Sequence, residues 1–336
     1  MFILNNYKQF TFFITSLLLI SCNNIKEQNI NGQTMGTFYT IKYVSNIHDI
    51  KNIKVNINKR LEEINRQMST YNDNSEVSKF NKFKKTNIPF PVSLGTIKVI
   101  KKAIEINKIT NGSLDITIGP LVNLWGFGPE LKLKKIPTDK EIKKRHKLVG
   151  IEKLSIISNS IIKTIPELNI DLSSIAKGYG VDVIKEYLES IGINNYMINI
   201  GGEISTKGKN GKKIPWQIAI EKPYLYQTIQ KIIEPGEFSM ATSGDYHNYF
   251  EYNGIHFSHI ISPKTGKPII HNLISVTVLS KNCMTADALS TGLNVLGQKK
   301  GFDLAKKMKI PIFMIIKTNK GFKELYTKEF KVFLKK

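Results

Sequence analysis

Strand-like and helical periodicities alternate irregularly between residues 37 and 316, and this irregular order constrains the fold more than any single motif. A parallel α/β fold needs a repeating strand–helix–strand unit, and none is present. Thr37–Val44 alternates with period two, and Ile53–Met68 repeats apolar residues at spacings of three and four. A second helix is predicted over Leu94–Ile109, stopped by Asn111-Gly112. A short helix follows Thr138, inside a Lys- and Pro-rich surface excursion from Pro129 to Arg145. From Leu154 the pattern turns to short β segments (LSIIS, IIKTI and NIDL), then to a helix over Ser174–Ser190 that Gly192 ends. Strands are predicted at Tyr196–Ile200, Trp216–Ile220, Tyr249–Tyr252 and Ile274–Leu279, helices near Thr285–Leu296 and Lys299–Met308, and a strand at Ile310–Ile316. No internal repeat or linker interrupts this order, so the expected class is α+β, built as one integrated unit.

The first 22 residues, MFILNNYKQFTFFITSLLLISC, hold one lysine, an apolar run from Phe10 to Ile20, then Ser21 and Cys22. The run is shorter than the roughly 20 residues that cross a bilayer, so it reads as a signal peptide. Cys22 directly after Ser21 resembles a lipoprotein box, in which the thiol is lipidated and becomes the new N-terminus. The expected organisation is a signal peptide over 1–21, a lipidated Cys22 with a flexible tether over 22–33, and one domain over 34–336. The expected location is the bacterial cell membrane, on its extracytoplasmic side, through the lipid anchor. The other cysteine is Cys283, so a lipidated Cys22 leaves no intrachain disulfide and no Cys-based zinc site.

Lys and Arg number 49 against 27 Asp and Glu, giving a formal charge of +22. A nucleic-acid face is not inferred, because only Arg60, Arg66 and Arg145 carry the bidentate guanidinium and the lysines are spread along the whole chain. Phosphate-loop, nucleophile-elbow and zinc-protease signatures are absent, and the six histidines include no pair at the i, i+4 spacing of zinc-protease helices.

Four segments remain as candidates for chemistry. In Asp171-Leu-Ser-Ser-Ile-Ala-Lys177, a strand end leads into a helix that Ser173 or Ser174 can cap, and the helix start offers free N–H groups to an anion. Lys177 in the first turn opposes the helix dipole; holding a phosphate explains it, and so does a solvated lysine on an ordinary capped helix. In Met284-Thr-Ala-Asp287-Ala-Leu-Ser290-Thr291, Asp287 and Thr291 stand one helical turn apart, a hard-oxygen pair suited to Mg²⁺ or, more simply, a dipole-favoured acid with a back-bonded threonine. His259 sits on a predicted strand just before the turn Pro263-Lys-Thr-Gly266 and reads either as a cleft imidazole or as a structural residue; Ser243-Gly-Asp245-Tyr-His247 lies upstream in the same histidine-rich region. Glycines surround Trp125 and Phe127 in residues 115–129, where the two rings can flank a planar ligand or fill the core under a loop.

Taken in order, Met35-Gly-Thr-Phe, Met68-Ser-Thr-Tyr71-Asn, DITIGPLVNLWGFGP, IDLSSIAKGYG, Asn199-Ile-Gly-Gly-Glu203, ATSGDYHNYF, HIISPKTGKP and MTADALSTGL resemble the ApbE family of flavin transferases across nearly the whole mature chain. The resemblance implies a T-fold-like α+β unit of mixed sheets flanked by helices. It implies that Met35, Tyr71, Trp125, Gly126, Phe127, Asp171, Lys177 and Ile261 contact FAD, that Ser174, Asp287 and Thr291 bind Mg²⁺, and that His259 or Asp287 assists proton transfer. The implied reaction splits FAD as substrate, places FMN on a Ser or Thr hydroxyl of an acceptor protein in the membrane or periplasm, and releases AMP. The rival readings are FAD hydrolysis by the same residues and a non-catalytic flavin-binding lipoprotein. Ser262 stands where family members commonly carry Asp, which removes any role of that carboxylate here, and Ser290 stands where some carry a second Asp, which implies a metal site with one carboxylate fewer.

Overall fold

Residues 273–280, LISVTVLS, and 312–316, IFMII, are buried at almost every position, which a half-solvated strand does not permit. They are inner strands, sixth and seventh of eight, in a sheet covered on both faces where they run. The computed structural model describes residues 26–46, 49–129, 136–223, 228–244, 249–252 and 255–335. In chain order its elements are β1 (Lys26–Thr34), β2 (Thr37–Ser45), α1 (Ile50–Met68), α2 (Glu76–Lys82), β3 (Phe90–Pro91), α3 (Leu94–Ile109), α4 (Gly119–Leu124) and α5 (Asp139–His146). These are followed by β4 (Leu154–Ile157), β5 (Ser160–Lys163), α6 (Ala176–Ser190), β6 (Tyr196–Ile200), β7 (Glu203–Lys207), β8 (Ile218–Glu221), β9 (Ile229–Ile233) and β10 (Ser239–Gly244). Finally come β11 (Tyr249–Tyr252), β12 (Ile255–Ser258), β13 (Leu273–Ser280), α7 (Cys283–Lys307), β14 (Ile312–Thr318) and β15 (Gly321–Tyr326).

The main sheet runs β1-β2-β6-β7-β10-β13-β14-β15, antiparallel at every junction. Strand alternation divides β14 between two cores: Ile312, Met314 and Ile316 face a cluster with α3 and α7, while Phe313 and Ile315 face one with β8, β9 and Phe330. The α+β class inferred from sequence is the class observed.

Several local expectations change. The segment read as a flexible tether forms β1 from Lys26 onward, paired along its whole length from Lys26↔Ser45 to Thr34↔Thr37. It is an edge strand with one buried apolar residue, Ile30, so backbone pairing rather than an apolar pattern defines it. The turn that folds it back is Met35-Gly36, with φ of 49° and 70°, the left-handed pair of a two-residue hairpin. Residues 169–172, NIDL, are not a strand; the Asn81 amide holds Ile170 from both sides, donating to its carbonyl at 2.9 Å and accepting from its N–H at 2.8 Å. The helix expected from Ser174 starts at Ala176, and neither serine caps it. The two helices expected near Thr285 and Lys299 form one element broken at Gly297, whose φ is 77°. The signal sequence, Cys22, Asp245 and His247 lie outside the described residues.

The N-terminus of α7 is capped from another helix. Asn282 makes no side-chain cap; instead Asp182 of α6 accepts from Cys283 N at 2.8 Å and Met284 N at 2.9 Å. Burial pushes the Asp182 carboxyl up to about 6, against the pull of those two N–H groups. Between about pH 4, where an unfolded aspartate ionises, and about pH 6, the folded chain keeps a proton that the unfolded chain has lost. Stability from this group therefore declines as pH rises through that window and is flat above it. Urea unfolding at pH 4 and pH 7 should show wild type losing on the order of 2 kcal/mol relative to Asp182→Asn; a pH-independent difference between the two would refute this.

Candidate active site

Helices α6 and α7 cross at Gly178, where an added Cβ would lie 2.5 Å from the Cys283 carbonyl oxygen and 2.7 Å from Asp287 Cβ. Only a glycine lets the helices approach this closely, and the approach aims Gly178 N at Asp287, donating to Oδ2 at 2.9 Å. Asp287 is thus buried at the crossing, with Thr291 one turn further along α7. Ser290, beside them, donates back to the Asp287 carbonyl at 2.8 Å.

A second carboxylate arrives from the sheet. The β6–β7 hairpin turns through Gly201 and Gly202, both at positive φ (59° and 97°), and Asn199 Oδ1 accepts from Gly202 N at 2.9 Å. The first residue after that turn, Glu203, is 2% exposed and pairs with Lys177 Nζ at 2.7 Å. Burial pulls the Lys177 ammonium down, but the Glu203 and Asp287 carboxylates outweigh it and hold the lysine protonated. Burial pushes both carboxyls up from their ordinary values, and the Asp287 charge adds to the effect at Glu203.

These groups lie in the wall of a cleft of about 650 Å³, within the range of small-molecule sites. Of the residues singled out from sequence, Asp171, Ser174, Lys177, His259, Ile261, Asp287 and Thr291 line it together. Asp171 is set by its own N–H, which donates to Ile116 O at 2.7 Å, and its Oδ1 accepts from Ser173 N at 2.8 Å. Lys163, almost fully buried, donates to Phe80 O at 2.9 Å and Leu168 O at 3.2 Å, tying the segment before Asp171 to the end of α2. Burial lowers that ammonium to about 8.

Tyr71 and Phe127 form a rim beside the cleft: the Tyr71 hydroxyl donates to Phe127 O at 2.9 Å, and the Phe127 ring meets His259 edge-on at 6.3 Å. His259 lies just after β12 rather than within a strand. Trp125 is 3% exposed, donates to Gly266 O at 2.8 Å and stacks on Phe257 at 5.8 Å, so its ring belongs to the core beneath the loop. Gly126, at φ 77°, turns the chain between the two aromatics. Met35 sits in the β1–β2 turn, and its side chain packs toward Gly180 of α6. Met35, Tyr71, Trp125, Gly126 and Phe127 are not part of the cleft wall. From sequence Glu203 receives no role; its signal is an acid directly after Gly201-Gly202 and leading into a strand.

The model of the ApbE family matches residues 35–314. The chain is 53% identical over 324 residues to a Vibrio cholerae protein named FAD:protein FMN transferase, covering 95% of this chain and 97% of that one. It is 36% identical over 311 residues to an Escherichia coli K12 protein of the same name, covering 91% and 88% of the two chains. A solved structure of Flavin Transferase ApbE from Vibrio cholerae superposes with a TM-score of 0.87 at 51% identity, covering 92% of this chain and all of that one. Fold, cleft and likeness together define an enzyme of the transferase class. The chain belongs to the ApbE family.

Proposed function

We propose that this enzyme transfers FMN from FAD to a Ser or Thr hydroxyl of an acceptor protein, with Mg²⁺ and release of AMP. The observation that carries this reading is the charge arrangement of the cleft floor: two buried carboxylates, Asp287 and Glu203, face a single ammonium, Lys177. Burial raises both carboxyls in the free protein, so the floor has more acid groups than it has cations to keep them ionised, and a hard divalent cation with phosphate ligands of its own would hold them in the charged form. Asp287 and Thr291 would hold the ion together with Ser174, which lines the same cleft just before α6. When bound, Mg²⁺ supplies charge neutralisation to the pyrophosphate.

The chain's own residues account for the rest. Lys177, held protonated by its carboxylate neighbours, would put positive potential beside the phosphates. Asp171, Ile261 and the Tyr71–Phe127 rim would bind the remainder of FAD. Met35, Trp125 and Gly126 lie outside the lining and would reach FAD only at its margins, while Trp125 also supports the wall through its bond to Gly266 and its packing in the cluster that holds Ile261. His259 would take the proton of the acceptor hydroxyl as its oxygen attacks the FMN-side phosphorus. The bond to the AMP-side oxygen breaks, so one FMN ester forms for each AMP released. Lipidation at Cys22 would hold the enzyme on the extracytoplasmic face of the membrane, near membrane or periplasmic acceptors.

Coexpression with a periplasmic redox subunit, followed by mass spectrometry, is the test. An FMN adduct on a Ser or Thr, with AMP formed in equal amount, is expected. Free FMN and AMP without any adduct would overturn transfer in favour of hydrolysis.

A further inference from the structure

We infer that Glu203 is a positioning residue that keeps Lys177 away from Asp287 and so leaves the Asp287 carboxylate available to a divalent cation. The inference rests on the metal reading above and assigns a role to a residue outside the proposed ligands.

Lys177 immediately precedes Gly178, whose N–H already donates to Asp287 at 2.9 Å. The Asp287 carboxylate also acts on the lysine's charge, so the two groups are electrostatic neighbours. An unrestrained ammonium on a flexible four-carbon stem would pair with that carboxylate and cancel the charge a cation needs. Glu203 offers a competing partner: its side chain is 3% exposed and it holds Nζ at 2.7 Å. The carboxylate is fixed by the backbone, because Glu203 directly follows a two-glycine turn that Asn199 locks. Lys177 has fewer such constraints, with its side chain 30% exposed. The sheet therefore sorts the charges, sending the ammonium to Glu203 and reserving Asp287. This also accounts for a lysine in the first turn of α6, where the dipole alone disfavours it.

The test is Mn²⁺ binding to FAD-free protein, read from the free-ion signal in electron paramagnetic resonance, so that turnover is not involved. Glu203→Gln should weaken Mn²⁺ binding about tenfold or more, because Lys177 is released onto Asp287. Adding Lys177→Met to that variant should return the affinity to within about threefold of wild type, and Lys177→Met alone should bind at least as tightly as wild type. A merely structural role for Glu203 predicts no such recovery. If Glu203→Gln does not fold, Glu203→Asp, which withdraws the carboxylate by one methylene, should show a smaller loss that Lys177→Met again relieves. Unchanged Mn²⁺ affinity in the Glu203 variants, or a loss that Lys177→Met fails to relieve, would overturn the inference. Wild-type protein that takes up no Mn²⁺ either alone or with ADP, whose diphosphate stands in for that of FAD, would instead overturn the metal reading itself, and the variants are compared under whichever of the two conditions wild type binds.

Discussion

Asp287→Asn is expected to lower FMN transfer by at least about a thousandfold with little change in stability. Asparagine keeps the shape of the side chain and an oxygen able to accept from Gly178 N, the bond that aspartate makes at 2.9 Å. What it removes is the negative charge. Burial makes that charge costly in the free protein, so the substitution relieves strain in the fold while disabling the site. Single-turnover AMP release and urea unfolding on the same preparation separate the two effects. Retained wild-type turnover would remove Asp287 from the proposed chemistry, and collapse of the fold would show that its main role is structural.

Gly178→Ala is expected to cost about 3 kcal/mol or more in stability, a large effect for one methyl group. The new Cβ would meet the Cys283 carbonyl oxygen at 2.5 Å and its carbonyl carbon at 2.8 Å. Both atoms are backbone, so no rotamer change relieves the contact and α6 must move away from α7. The same movement would draw Gly178 N from Asp287 and spread the cleft floor, so activity should fall even in molecules that remain folded. Denaturant midpoints within experimental error of wild type would show that the two helices do not pack as tightly as described.

The sequence was most readable where periodicity and caps agreed. Leu94–Ile109 is a helix with the predicted bounds, with Ser93 accepting from Thr96 N at its start. The helix after Thr138 carries a full capping box with Glu141. Reading failed where tertiary partners replaced local ones. β1 has one buried apolar residue and exists through its pairing with β2. Residues 169–172 alternate like a strand, yet their hydrogen bonds go to Asn81 and Ile116. Ser173 and Ser174 looked like caps, whereas the long-range cap in this region is Asp182 serving another helix. At the site, the one-turn spacing of Asp287 and Thr291 was visible in the letters. The Lys177–Glu203 pair was not, because 26 residues and a hairpin separate its members.

The hairpin that opens the main sheet would limit how the enzyme could stand at a lipid surface under the lipid anchor proposed at Cys22. Pairing of β1 with β2 begins at Lys26, so an anchor at Cys22 leaves a span of four residues, at most about 14 Å fully extended. If Cys22 is lipidated as proposed, the β1 border of the molecule would lie against the headgroups, and the cleft could not range far into the surrounding compartment. Substrate proteins would have to present their hydroxyls close to the bilayer, within reach of a catalyst that pivots but does not roam.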